Sequence, residues 1–324
     1  MLIYPVFIPF QGCPFRCIYC QQETITHTSK ESEVLALDKI QQFIEIHKDI
    51  DKEIAFFGGT FTALDQDIQA DYFNQIKPYI DEKTSFRIST RPDFINEEIL
   101  EFLAKNKVKT IELGIQSFDD NVLEKSKRGY TAAQAEDACN LVKSKGFALC
   151  IQLMPGLPDD TNESFEKTMI KTVELKPDYV RIYPTIVIKN THLETLFLKG
   201  EYKPWNLNQT LFAVKNAQQL IKKNKIKLIK IGLHSDLNVQ KDDIVAGPWH
   251  PNIGEIINGI CFMERNCEVD KTIQQLTISR YEASMLLGNK RIVLDFCEKV
   301  LKISIPKKII VDKDFQKGYY NNVY

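Results

Sequence analysis

Three cysteines fall within the eight residues "CPFRCIYC", placing Cys13, Cys17 and Cys20 at C-x3-C-x2-C spacing. Thiolates this close together bind soft metals or iron–sulfur clusters. A closed zinc site takes four ligands, and a ferredoxin-type cluster takes four cysteines. No fourth cysteine follows nearby. Two readings are open. One is a Cys3His zinc loop completed by His27. The other is a cubane cluster with one iron lacking a protein ligand, the open position that a catalytic metal site keeps. Further on, "FFGGTFTAL" supplies Gly58, Gly59 and Thr60. Two glycines allow close backbone approach to a ligand, although such a turn also ends many ordinary strands.

Elements to position these groups are visible along the chain. Apolar runs at Tyr4–Phe10, Glu53–Phe57, Ser85–Thr90, Thr110–Gln116, Ala148–Met154 and Asp178–Pro184 alternate with stretches of helical period. Such β-then-α alternation predicts a parallel α/β sheet, and six units suit a partial (β/α)6 TIM-type barrel. In parallel sheets chemistry gathers at the carboxyl ends of strands, where the cysteine stretch falls. From about residue 190 the pattern loosens. A helix over 206–223, a seventh strand over 226–234, a loop at "VAGPWHP" and further strand and helix candidates predict a small α+β C-terminal extension. The expected division is 1–190 for the core and 191–324 for the C-terminal region.

The 324 residues are 44% hydrophobic and 26% charged, enough to bury a core. Lys+Arg 42 against Asp+Glu 43 argues neither for nor against an anionic partner. No window approaches the ~20 apolar residues of a membrane span. The opening "MLIYPVFIPFQG" lacks a basic leader and a small-residue cleavage site, so it reads as a buried strand. Five scattered cysteines make no disulfide scaffold, and the expected compartment is the reducing cytoplasm. Cys139, Cys150 and Cys297 read as core residues. Cys261 and Cys267, six apart, face different ways if one helix carries both.

With C-x3-C-x2-C and Gly-Gly-Thr one strand apart, the chain resembles the radical S-adenosylmethionine (SAM) superfamily. "RISTRPDFI", "IELGIQSFDDNVLEKSKRGYT", "IQLMPGLP", "VRIYPTIVIKNTHLE" and "AGPWHP" resemble the branch containing the Elongator catalytic subunit. "GIQSF…R" also resembles oxygen-independent coproporphyrinogen oxidases. The resemblance implies a [4Fe–4S] cluster on Cys13, Cys17 and Cys20 and SAM held by Tyr19, Gly58, Gly59, Thr60, Gln116, Arg128 and Gln152. Glutamine amides suit ribose hydroxyls, and a guanidinium fork suits the SAM carboxylate. The implied activity is reductive cleavage of SAM to a 5′-deoxyadenosyl radical that takes a hydrogen atom from a substrate.

The same resemblance implies an electron donor such as flavodoxin or ferredoxin, and a tRNA base as substrate. The alternatives are a coproporphyrinogen-oxidase-like enzyme acting on a small molecule and, more distantly, a non-enzymatic zinc- or RNA-binding module. Lys189, His192 and His250 are candidates for facing a substrate, each equally readable as a solvated or loop residue. The lysine-rich "IKKNKIKLIK" could meet RNA phosphates, or simply be a solvated helix end.

Overall fold

The first apolar run pairs early: Leu2–Phe7 (β1) lies parallel to Lys52–Phe57 (β2), with Leu37–Ile46 (α1) crossing between them. The computed structural model describes residues 2–14, 16–22, 35–233, 241–267 and 273–312. The unit recurs through Gln66–Ile76 (α2), Thr84–Thr90 (β3), Glu97–Lys105 (α3) and Val108–Gln116 (β4). The helices Asp120–Lys125 (α4) and Ala132–Ser144 (α5) then lead to Ala148–Leu153 (β5), and Asn162–Glu174 (α6) to Tyr179–Ile182 (β6). Helix starts follow capping chemistry: Asn96 accepts from Ile99 N–H, while Thr131 and Thr161 each close a capping box.

A short strand, Val187–Ile188 (β7), precedes helices His192–Leu198 (α7) and Leu207–Lys223 (α8) and the strand Lys227–Ile231 (β8). The seven-stranded sheet runs β1-β2-β3-β4-β5-β6-β8, all parallel, and curls into a half-barrel. Parallel neighbours need crossovers of a dozen or more residues, which the helices provide. The expected partial barrel is therefore present, and the seventh strand joins the same sheet. The first strand ends at Phe7 rather than Phe10, because Phe10 takes φ +56 as the chain turns into the cysteine loop.

Beyond the sheet, Ile244–Ala246 (β9) pairs antiparallel with β7, overlapping the start of the stretch expected as loop. Ile253–Asn266 (α9), Gln275–Ile278 (β10), Arg280–Leu287 (α10), Ile292–Lys299 (α11) and Lys308–Val311 (β11) follow, with β10 and β11 parallel. Gly259 lets α11 approach α9: a Cβ there would lie 2.9 Å from Val293 Cγ2. One hydrophobic cluster runs from the sheet helices into these elements. Near its β2–β3 end Phe56 stacks on Phe61 at 4.9 Å, and Phe73 meets Phe86 at 4.9 Å. Cys139, Cys150 and Cys297 are buried free thiols, as expected, and Cys261 within α9 and Cys267 at its C-terminal cap are buried as well.

Candidate active site

The cysteine loop leaves β1 and is zipped to the end of β2. Ile8 N–H donates to Phe57 O at 2.8 Å, and Thr60 N–H to Gln11 O at 2.8 Å. Gly12 and Gly59 are where the two segments touch. A Cβ on Gly12 would sit 2.3 Å from Thr60 O, and one on Gly59 2.3 Å from Gln11 O. Both glycines are thus required by close approach of one backbone to the other. On its far side the loop is anchored by Ile18, 2% exposed, whose carbonyl accepts from Leu193 N–H of α7 at 2.8 Å.

Cys13, Cys17 and Cys20 line one cavity of about 710 Å³, together with Tyr19, Gly58, Gly59, Thr60, Gln116, Arg128 and Gln152. The sheet thus gathers all ten residues expected to hold cluster and SAM. Arg128, just beyond α4, is buried and donates to Gly114 O at 2.6 Å, Tyr130 Oη at 2.8 Å and Tyr19 Oη at 2.9 Å. Its Nη1 also lies 2.8 Å from Cys17 Sγ. Gln152 Nε2 donates to Gln116 Oε1 at 3.3 Å. Gln116 closes β4 with φ +66, a left-handed backbone rare for a side chain of this kind and frequent at functional sites. The β4–β5 register slips at the same point.

Burial pushes the Cys20 thiol up to about 12 and raises that of Cys13, the latter against a hydrogen bond with Thr60 Oγ1 at 3.4 Å. As bare groups these thiols resist ionising, whereas a coordinating metal deprotonates a thiol outright. Cationic side chains stand ready for the resulting charge. Besides Arg128, Arg91 Nη1 lies 4.0 Å from Cys17 Sγ while its other nitrogens hold Asp93 at 2.8 and 2.9 Å. Among the described residues no three His, Cys, Asp or Glu side chains converge on a point where a single ion could sit. His27 lies outside the described residues.

The three candidate substrate-side residues are elsewhere. Lys189 is exposed, its N–H bonded to Asp243 O, and His250 accepts from Asn252 N–H through Nδ1 at 3.1 Å; neither lines the cavity. His192 is exposed at the start of α7. Arg87, Arg91 and Arg181 were not among the expected site residues, although each is a charged residue inside or just past an apolar strand, and Tyr130, between α4 and α5, carried no such signal.

A family model described as the radical SAM superfamily matches residues 7–171, more than half of the chain. The chain belongs to the radical SAM superfamily of enzymes. A second model, the radical SAM C-terminal domain, matches residues 177–260. Among curated proteins, a tRNA uridine(34) acetyltransferase of Methanocaldococcus jannaschii is 29% identical over 243 residues, 68% of this chain and 44% of the relative. Elongator complex protein 3 of Mus musculus is 26% identical over 52% of this chain and 35% of its own length. The chain thus spans less than half the length of these relatives. The archaeal Methanocaldococcus infernus Elp3 structure superposes with TM-score 0.64 at 24% identity, covering 82% of this chain and 63% of that one. Coproporphyrinogen III oxidase (HemN) from Escherichia coli gives 0.50 at 21% identity, over 69% and 52%. Both show the shared fold.

Membership in the radical SAM superfamily implies a [4Fe–4S] cluster and SAM, and the residues present fit both. Three soft donors on one loop, side by side at a cavity wall and flanked by guanidinium groups, suit a multi-iron cluster that takes one thiol per iron. The amides of Gln116 and Gln152 and the backbone of Gly58 and Gly59 supply hydrogen-bonding groups for a polar ligand beside it.

Proposed function

We propose that this chain uses Cys13, Cys17 and Cys20 to hold a [4Fe–4S] cluster, and Tyr19, Gly58, Gly59, Thr60, Gln116, Arg128 and Gln152 to hold SAM. The observation that carries the reading is their convergence on one cavity from five different parts of the chain. When bound, cluster and SAM supply a 5′-deoxyadenosyl radical that removes hydrogen from the substrate. The chain's own part is positioning. The zipped loop fixes the thiols, Arg128 is braced by Gly114 and Tyr130, and buried walls keep water from the reacting centre. Residues 1–190 form the radical core and 191–324 the C-terminal region, whose α7 buttresses the cysteine loop. A flavodoxin- or ferredoxin-like donor supplies the electron, and the protein works in the cytoplasm.

The substrate proposed is a base of tRNA, on similarity to tRNA uridine(34) acetyltransferases over 68% of this chain. The test is anaerobic reconstitution with iron and sulfide, addition of SAM and a strong reductant, and quantification of 5′-deoxyadenosine beside Cys17→Ala. Formation by the wild type alone supports the reading. Zinc in the site with no cluster formed would sink it. Retention of tRNA with a steep salt dependence distinguishes a tRNA substrate from a small molecule.

A further inference from the structure

Among the described residues the cavity wall carries seven cationic side chains and one carboxylate, Glu112. Three of the cations, Arg16, Arg91 and Arg128, belong to the cysteine loop or stand against it. The other four, Arg87, Arg181, Lys227 and Lys230, come from β3, β6 and β8. Arg87 precedes Arg91 by four residues of extended chain, which sets it roughly 13 Å away along the strand.

At this inner end both oxygens of Glu53 are occupied, while part of the buried Arg87 guanidinium is not. Glu53 accepts from Arg87 Nε at 2.7 Å and from Thr110 Oγ1 at 2.5 Å. Glu112 Oε2 lies 3.2 Å from Arg181 Nε, 3.6 Å from Arg87 Nη1 and 3.5 Å from the Cys150 thiol. Arg87 is fully buried, yet neither Nη1 nor Nη2 has a hydrogen-bond acceptor. Buried polar groups are normally satisfied, and a charged donor left over is costly. Aromatic faces flank the two guanidinium groups, Tyr179 at 5.2 Å from Arg87 and Phe57 at 4.8 Å from Arg181. Arg181 is the register partner of Gln152 on one side and of Lys230 on the other.

We propose that this inner end is an oxyanion site, at which Arg181, Lys227 and Lys230, backed by the unsatisfied Nη groups of the buried Arg87, take a carboxylate or phosphate of a small acid that enters the cavity in addition to the tRNA base. The proposal rests on the reading that Gln152 and the cysteine loop hold SAM and the cluster. An acid anchored at Arg181 would then sit one strand away from the SAM-binding glutamine, with its remaining atoms directed along the cavity toward the cysteines. The cations face inward on the concave side of the sheet, which favours a small acid over an RNA backbone lying on an exposed surface.

The test titrates the reconstituted full chain with SAM present, at matched ionic strength, with inorganic phosphate, pyrophosphate, acetate and succinate. Melting temperature and calorimetry are the readouts, with sodium chloride as control. Saturable stabilisation by one anion class, weakened about tenfold or more in Arg181→Gln and also in Lys227→Gln, supports the site and tells phosphate from carboxylate. Lys227 lies on the edge strand β8, so its variant stays informative should Arg181→Gln fold poorly. No response beyond chloride, or equal binding by wild type and both variants, overturns the proposal. Arg181-dependent binding of an oligouridylate alone overturns it in favour of an RNA backbone. Iron and sulfide content and 5′-deoxyadenosine formation are measured on the same samples. A full cluster without anion response overturns this site alone, whereas anion response without SAM cleavage overturns the cofactor reading and leaves the oxyanion site standing.

Discussion

Gly59→Ala is expected to empty the cysteine loop of iron while leaving the sheet folded. The added Cβ would meet Gln11 O at 2.3 Å and Ile8 O at 2.9 Å, against an ordinary contact of 3.4 Å or more. Both atoms are backbone and cannot rotate away, so Gln11 must retreat by about 1 Å. That retreat breaks the Thr60 N–H to Gln11 O bond of 2.8 Å and moves Gly12 and Cys13 with it. Overpacking of this kind costs about 1–3 kcal/mol, or a melting shift of roughly 2–6 °C for a chain this long. A ligand loop displaced by about 1 Å loses far more in function than in stability. Gly58→Ala is the internal control. Its φ of +97 strains an alanine, but the nearest atom to its Cβ is 3.5 Å away, so it pays only the backbone penalty of about 1–2 kcal/mol. Iron and acid-labile sulfide per chain after anaerobic reconstitution, measured beside the melting temperature, rank the two. Full cluster loading in Gly59→Ala, or greater loss in Gly58→Ala, would refute the argument that this glycine exists to let two backbones meet.

Other expectations follow from the same contacts. Arg128→Gln removes charged hydrogen bonds to Gly114, Tyr130 and Tyr19, so urea unfolding should show a loss of about 3 kcal/mol, and SAM cleavage should vanish. Arg128→Lys should not rescue cleavage, because a point charge cannot span these acceptors; restored 5′-deoxyadenosine would contradict this. Burial raises the Asp160 carboxyl to about 6, against hydrogen bonds from Ser164 and Gly156. A raised acid favours the folded state when protonated, so its contribution is present below pH ~4 and is lost as pH rises through about 6. The stability of wild type relative to Asp160→Asn should therefore fall between pH 4.5 and 6.5 in urea unfolding and level off above. A flat difference would count against a buried, neutralised carboxyl.

The parallel half-barrel was legible because its strands are short apolar runs spaced by helices long enough to cross back. The site was legible where chemistry needs contiguous residues: three thiols and two glycines within a few positions of each other. Gln116 and Arg128 were reached through resemblance, and the structure adds what spacing could not, a left-handed backbone at Gln116 and an Arg128 braced by Tyr130. The tail was harder to read. Helix α7 is a single short segment, its hydrophobic period hardly completed, and its role depends on Leu193 reaching Ile18 from far along the chain. Helix α10 is announced by the Ser279–Glu282 capping box, a signal that was present and unused.

The lysine-rich run shows the division most clearly. From sequence, "IKKNKIKLIK" is one basic stretch with one character. In the fold it is split: Lys222 and Lys223 end α8 in solvent, while Lys227 and Lys230 turn with β8 into the cavity. Composition and local period determined which segments are strands and helices, and the clustered cysteines determined what chemistry the chain can hold. Only the tertiary structure decided which charges face one another, because Glu53, Arg87, Glu112 and Arg181 meet through the curl of four strands separated by long crossovers. Strand propensity and periodicity are local properties, whereas the pairing of buried charges depends on strand order and register, which are set by closure of the whole sheet.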